Sequence, residues 1–150
     1  MGNIFNEDFR DFISALNDNG VKYILVGGYS VILHGYSRTT GDMDIWVERS
    51  PENYSKILGA FRQFKMPVFD MTEDNFLHHL HWDVFTFGTP PVAIDLMVNV
   101  KGLDFKKSYI NAVLFEEGDL KIRTIHKSDL IQAKKSSGRS KDLNDLENIE

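Results

Sequence analysis

A chain of 150 residues with 42% hydrophobic and 26% charged residues has the composition of one ordinary globular domain with a single core, which excludes a disordered polypeptide. It has no cysteine, which excludes disulfide scaffolds, thiolate zinc sites and thiol catalysis, and no apolar run near the ~20 residues of a membrane span, so a cytoplasmic protein without a signal peptide is the default expectation. The net charge of −5 argues against a general nucleic-acid coat, yet Lys121 to Lys141 carries seven basic residues against one acid, Asp129: either a local basic surface or a solvated helix face.

The first predicted element is an amphipathic helix capped by Asn6, with Phe9, Phe12, Ile13 and Leu16 at helical spacing until Gly20. Val21 to Val26 is almost wholly apolar, as expected of a central strand. Gly27-Gly28 then opens a short helix running to about Tyr36, in which His34 reads as a packing or hydrogen-bonding residue. Arg38 stands just before a strand that begins around Asp42-Met43-Asp44, where its fork could reach a phosphate or pair with an aspartate. Ser50-Pro51-Glu52 starts a helix with an N-cap and an N1 proline, and Tyr54, Ile57, Leu58, Phe61 and Phe64 form its buried stripe.

From Lys65 to Leu80 the pattern weakens. A strand is expected at Pro67 to Phe69, then a short helix capped around Thr72. His78, His79 and His81 do not have zinc spacing and read as lining a loop or groove. Trp82 to Phe87 alternates as a strand, Thr89-Pro90-Pro91 breaks it, and Ala93 to Val98 follows as its hairpin partner beside the Asp42/Asp44 strand. Downstream come a helical stretch near Asp104 to Asn111, a hairpin turning at Glu116 to Asp119, a helix capped by Ser128 and interrupted at Ser137-Gly138, and a last helix from about Lys141 to Ile149.

The chemistry gathers around Val26 to Val47. Side chains alternate along a strand, so Asp42 and Asp44 share one face while Met43, Ile45 and Val47 share the other. Two carboxylates so close repel unless a cation relieves them, and hard oxygen ligands suit Mg²⁺, with phosphates completing the shell. Gly27 and Gly28 permit positive φ and close backbone approach; the helix start beyond them offers N–H groups to an anion, and Ser30 adds a hydroxyl. Taken alone, the glycine pair is a turn and the Asp-x-Asp a solvated edge. Their combination across thirteen residues, 29 to 41, with a third acid at Asp95 in an apolar strand, points to a phosphate and metal site.

These residues, Gly27-Gly28, Asp42-Met43-Asp44-Ile45 and Asp95, resemble the signature of the nucleotidyltransferase fold, the DNA polymerase beta-like superfamily. His34-Gly35, Arg38-Thr39-Thr40, and a tail of Asp129-Leu130-Ile131, Lys134, Arg139, Lys141-Asp142 and Asp145-Leu146 resemble the small AbiEii-type bacterial proteins.

The resemblance implies one α/β (α+β) domain over 1–150, a small mixed sheet with helices on one face and the acidic site open on the other. It implies transfer of a nucleoside monophosphate from an NTP to an acceptor hydroxyl, with two Mg²⁺ ions (Mn²⁺ as an alternative) about 3.5 to 4 Å apart in such sites. Asp42, Asp44 and Asp95 are the implied catalytic and metal-holding residues, with Asp95 also a base for the acceptor. Gly27, Gly28, Ser30 and Arg38 are the implied phosphate contacts. Lys134 either joins them, as in AbiEii-type tails, or lies on a solvated helix.

The acceptor is left open between an RNA or tRNA end and a protein, in a toxin–antitoxin or abortive-infection setting. Its recognition is left to a partner protein, a homodimer mate or the basic tail. The competing expectation is a nucleotide-binding antitoxin or interaction module with little catalysis.

Overall fold

The computed structural model describes residues 7–36, 41–79, 81–88 and 93–149. Its centre is a six-stranded mixed sheet built from β1 (Tyr23–Val26), β2 (Met43–Val47), β3 (Val84–Phe87), β4 (Ile94–Met97), β5 (Val113–Glu117) and β6 (Leu120–Thr124), in the order β3-β4-β2-β1-β6-β5. β1 and β2 lie at its middle. This accounts for the four buried residues in a row on β1, since a strand covered on both faces has no solvent side to leave polar.

One face carries the larger core. On α1 (Glu7–Asp18), Phe9, Phe12, Ile13 and Leu16 are buried as their spacing predicts. The ring of Phe12 packs edge-on against Phe61 and Phe64 of α3 (Pro51–Phe64), at 5.8 and 5.3 Å. A ring removed from water this way contributes roughly 1.5–3 kcal/mol. Ser50 caps α3 by accepting from the Asn53 amide, as the Ser-Pro-Glu start predicts. Thr72 caps α4 (Glu73–His78) in the same way.

The second face is not left to the acids alone, contrary to expectation. α5 (Phe105–Asn111) and α6 (Lys127–Ser137) cover part of it, burying Ile24, Val26, Trp46, Ile125 and Leu130, and α7 (Ser140–Ile149) packs on α6. These strands alternate two apolar sets, and the second set needs its own cover. The acidic end of β2 and β4 remains partly open.

Three local expectations change. Pro67 to Phe69 forms no strand: the chain turns at Phe69-Asp70, closed by the Met71 amide donating to the Val68 carbonyl, with Phe69 at φ 49° where no strand can continue. α6 is capped by His126, whose Nδ1 accepts from the Ser128 amide at 3.0 Å, because β6 ends directly before it. The β5–β6 turn narrows to Gly118-Asp119, with Gly118 at φ 65°; Glu116 and Glu117 stay in the strand, and Glu117 pairs with Arg10 at 3.0 Å. The Asn6 cap and the Thr89-Pro90-Pro91 break lie outside the described residues.

Candidate active site

The sheet places the predicted acids on one row. Thr86 of β3 stands opposite Asp95 of β4, Asp95 beside Asp44 of β2, and Asp44 opposite Val26 of β1. Residues in register on neighbouring strands share a face, so this row lies on the second face, at the end where β1 finishes and β2 and β4 begin. Adjacent strands are about 4.8 Å apart, which sets the scale of the Asp44–Asp95 separation. Asp42 precedes β2 and is exposed, whereas Asp44 and Asp95 are half-buried.

Gly27 follows Val26 directly and holds φ 69°. A Cβ there would strike the Asp44 carboxylate, with the Asp44 Cβ and Cγ only 2.9 Å away. The turn therefore requires glycine twice over, for its backbone angle and for the acid that lies against it. Gly28 is buried in the first turn of α2 (Gly27–Leu33). Ser30 is fully buried as well, and its hydroxyl donates to the Gly27 carbonyl at 2.6 Å, bracing the turn from inside rather than facing outward. Burial, and then the charge of Asp42, push the Tyr29 hydroxyl above its ordinary pKa.

The C-terminal helices form the opposite wall. Val26, Gly27, Asp44, Met97, Lys134 and Arg139 are among the residues lining one pocket of about 120 Å³. Lys134 does reach this pocket, but its ammonium is held between Asp142 Oδ1 at 3.2 Å and Asp145 Oδ2 at 3.0 Å, and the residue is 6% exposed. Arg139 is mostly exposed and donates through Nε to Asp142 at 2.7 Å. The Asp142 hydrogen bond raises the Arg139 pKa, a shift to which the negative charge of Asp44 also contributes, so the guanidinium senses both walls.

Asp142, 1% exposed, would be pushed up by burial; hydrogen bonds from Arg139, Ser137 and Lys134 outweigh that and hold it down at about 2. Sequence reasoning placed Lys134 among the site residues and left Arg139 in the tail. The Ser137-Gly138 break that ends α6 in an αL turn is the signal that Arg139 stands just before a new helix, at the pocket. Arg38 lies outside the described residues. His79, one of the three clustered histidines, packs edge-on to Trp82 at 5.7 Å, away from this row.

Among the described residues no three His, Cys, Asp or Glu side chains converge as a ligand set, so Asp42, Asp44 and Asp95 do not form a preformed cage. Mg²⁺ is commonly bound through one or two carboxylates with substrate phosphates supplying other ligands. Asp44 and Asp95, half-buried and in register on neighbouring strands, supply hard oxygen ligands that fit an ion whose other ligands are phosphates. No helix among the described residues is long and apolar enough to cross a membrane.

The mixed sheet with its acidic row defines a nucleotidyltransferase fold. Solved structures agree. The chain aligns over 93% of its length, and 88% of the other's, with a candidate nucleotidyltransferase from Thermotoga maritima at 15% identity and a TM-score of 0.54. It aligns over 99% of its length, and 98% of the other's, with the lincosamide antibiotic adenylyltransferase LnuA bound to lincomycin, again at 15% identity and with a TM-score of 0.55. Residues 6–150 match the family model described as nucleotidyltransferase of unknown function (DUF6036), and the chain belongs to that family. No curated protein matches the chain.

Proposed function

We propose that the chain transfers a nucleoside monophosphate from an NTP to an acceptor hydroxyl, with Asp42 and Asp44 holding Mg²⁺ or Mn²⁺ together with the substrate phosphates and Asp95 completing the set. The observation that carries this is the packing of Gly27 against the Asp44 carboxylate with Asp95 in register beside it: phosphate cradle, metal ligand and third acid in one short row. Bound there, the metal would neutralise phosphate charge and make the acceptor hydroxyl more acidic.

The protein's own part is positional. The backbone at Gly27 and Gly28 approaches the triphosphate without side-chain hindrance, and Ser30 keeps that turn in shape. Asp95 takes the proton of the acceptor hydroxyl as its oxygen attacks the α-phosphorus, while the bond to the bridging oxygen breaks and pyrophosphate leaves. Arg139, beside Asp44 and held by Asp142, is a better placed cation for the departing phosphates than Lys134, whose charge is spent on Asp142 and Asp145. Arg38 keeps its proposed role at the phosphates.

The resemblance of the tail's residues to AbiEii-type proteins is what favours an acceptor of the RNA or protein kind and a toxin–antitoxin or abortive-infection setting. The alternative function is a nucleotide-binding antitoxin or interaction module with little catalysis of its own.

Incubation with each labelled NTP, Mg²⁺ and either total RNA or cell lysate, beside Asp44→Ala, separates the two. Label on an RNA or protein band with the wild type only is the expected result. Mg²⁺-dependent NTP binding without any transfer supports the module, and no NTP binding at all rules out both.

A further inference from the structure

We infer that Thr86, on the edge strand β3, is a positioning residue for Asp95. The inference rests on the proposed function of the acidic row and extends it by one strand.

Thr86 and Asp95 are a directly opposed pair on the antiparallel β3–β4 ladder, and the Thr86 hydroxyl donates to Asp95 Oδ1 at 2.7 Å. Asp95 is thus flanked on one side by a hydrogen-bond donor and on the other by the like-charged Asp44. Without Thr86, the cheapest response to that repulsion is rotation of the Asp95 carboxylate towards solvent, since the residue is only half-buried. The hydroxyl occupies Oδ1 and leaves Oδ2 as the oxygen not claimed by β3.

Threonine suits this task. Its β-branched side chain has few χ1 rotamers and favours a strand, so its hydroxyl is held in place at small entropic cost. The neighbours of Thr86 on β3, Phe85 and Phe87, are buried in the core of the first face, which fixes the strand that presents it. Outer partners that orient a metal-binding side chain typically change metal affinity or activity 10- to 100-fold when removed.

The test compares wild type, Thr86→Val, Thr86→Ser and Asp95→Asn for Mn²⁺ binding in the presence of ATP, by electron paramagnetic resonance, with melting temperature measured alongside. Valine keeps the shape and the strand propensity and removes only the hydroxyl. The expected result is that Asp95→Asn weakens Mn²⁺ binding, Thr86→Val weakens it by about tenfold, Thr86→Ser restores it, and all four melt alike. Wild-type affinity in Thr86→Val alongside weakened binding in Asp95→Asn would overturn the positioning role and leave the acidic row intact. Wild-type affinity in Asp95→Asn would overturn both, because Asp95 would then hold nothing for Thr86 to orient.

Discussion

One pocket is lined by an acid of the sheet, Asp44, and an acid of α7, Asp142, and the protein treats the two regions differently. Asp142, on α7, is almost wholly buried and receives hydrogen bonds from Lys134, Ser137 and Arg139. The acids of the sheet are more exposed: Asp44 lies against the Gly27 turn, and Asp95 accepts from the hydroxyl of Thr86 on the edge strand. Acids that are buried among hydrogen-bond donors hold the fold together, whereas the half-buried pair in register on the sheet is the one to which the proposed function assigns a ligand. A substitution in the first group should therefore register in stability, and one in the second in binding.

The largest expected effect tests the first half. Asp142→Ala takes from the buried Lys134 ammonium one of its two carboxylate partners among the described residues and removes the anchor of Arg139. Breaking a buried pair in this way costs about 3–5 kcal/mol, so urea or thermal unfolding should show a marked loss. Unchanged stability would mean that the α6–α7 cluster is not structural and would erase the contrast.

The acid limb of stability comes next. The Asp142 carboxyl lies at about 2 in the fold, below its value in the unfolded chain. Its contribution is therefore fully present above about pH 4 and is lost as pH falls towards about 2, an effect on the order of 2 kcal/mol. Asp142→Asn should flatten that part of the profile. An acid transition identical in the two proteins would assign it to other carboxylates.

The smallest change in stability sharpens the second half. Gly27→Ala puts a Cβ at φ 69° and against Asp44, costing roughly 1–2 kcal/mol through the left-handed backbone, yet it should remove Mg²⁺-dependent NTP binding as measured by calorimetry. NTP binding at wild-type strength in that variant would move the phosphate site away from the turn.

Much of this was legible in local sequence. The caps at Ser50 and Thr72 and the buried stripes of α1 and α3 depend on neighbours within a few residues, and periodicity reports such neighbours directly. Where local rules failed, tertiary contacts had intervened. Phe69 adopts a left-handed turn that a Pro-Val-Phe run does not announce, and His126 displaces Ser128 as a cap because the strand before it ends where the sheet ends it.

By itself, then, the amino-acid sequence determined the parts: a glycine turn after an apolar strand, an Asp-x-Asp pair, a third acid in another apolar strand and a basic tail. Only the tertiary structure decided which of them meet. The parallel register that sets Asp95 beside Asp44, the edge strand that brings Thr86 to Asp95, and the return of α7 that satisfies Lys134 while leaving Arg139 at the pocket all join residues far apart in the chain. Such pairings depend on the order of strands in the sheet and on how two apolar faces are covered. Those are properties of the whole packed chain, to which no local pattern is sensitive.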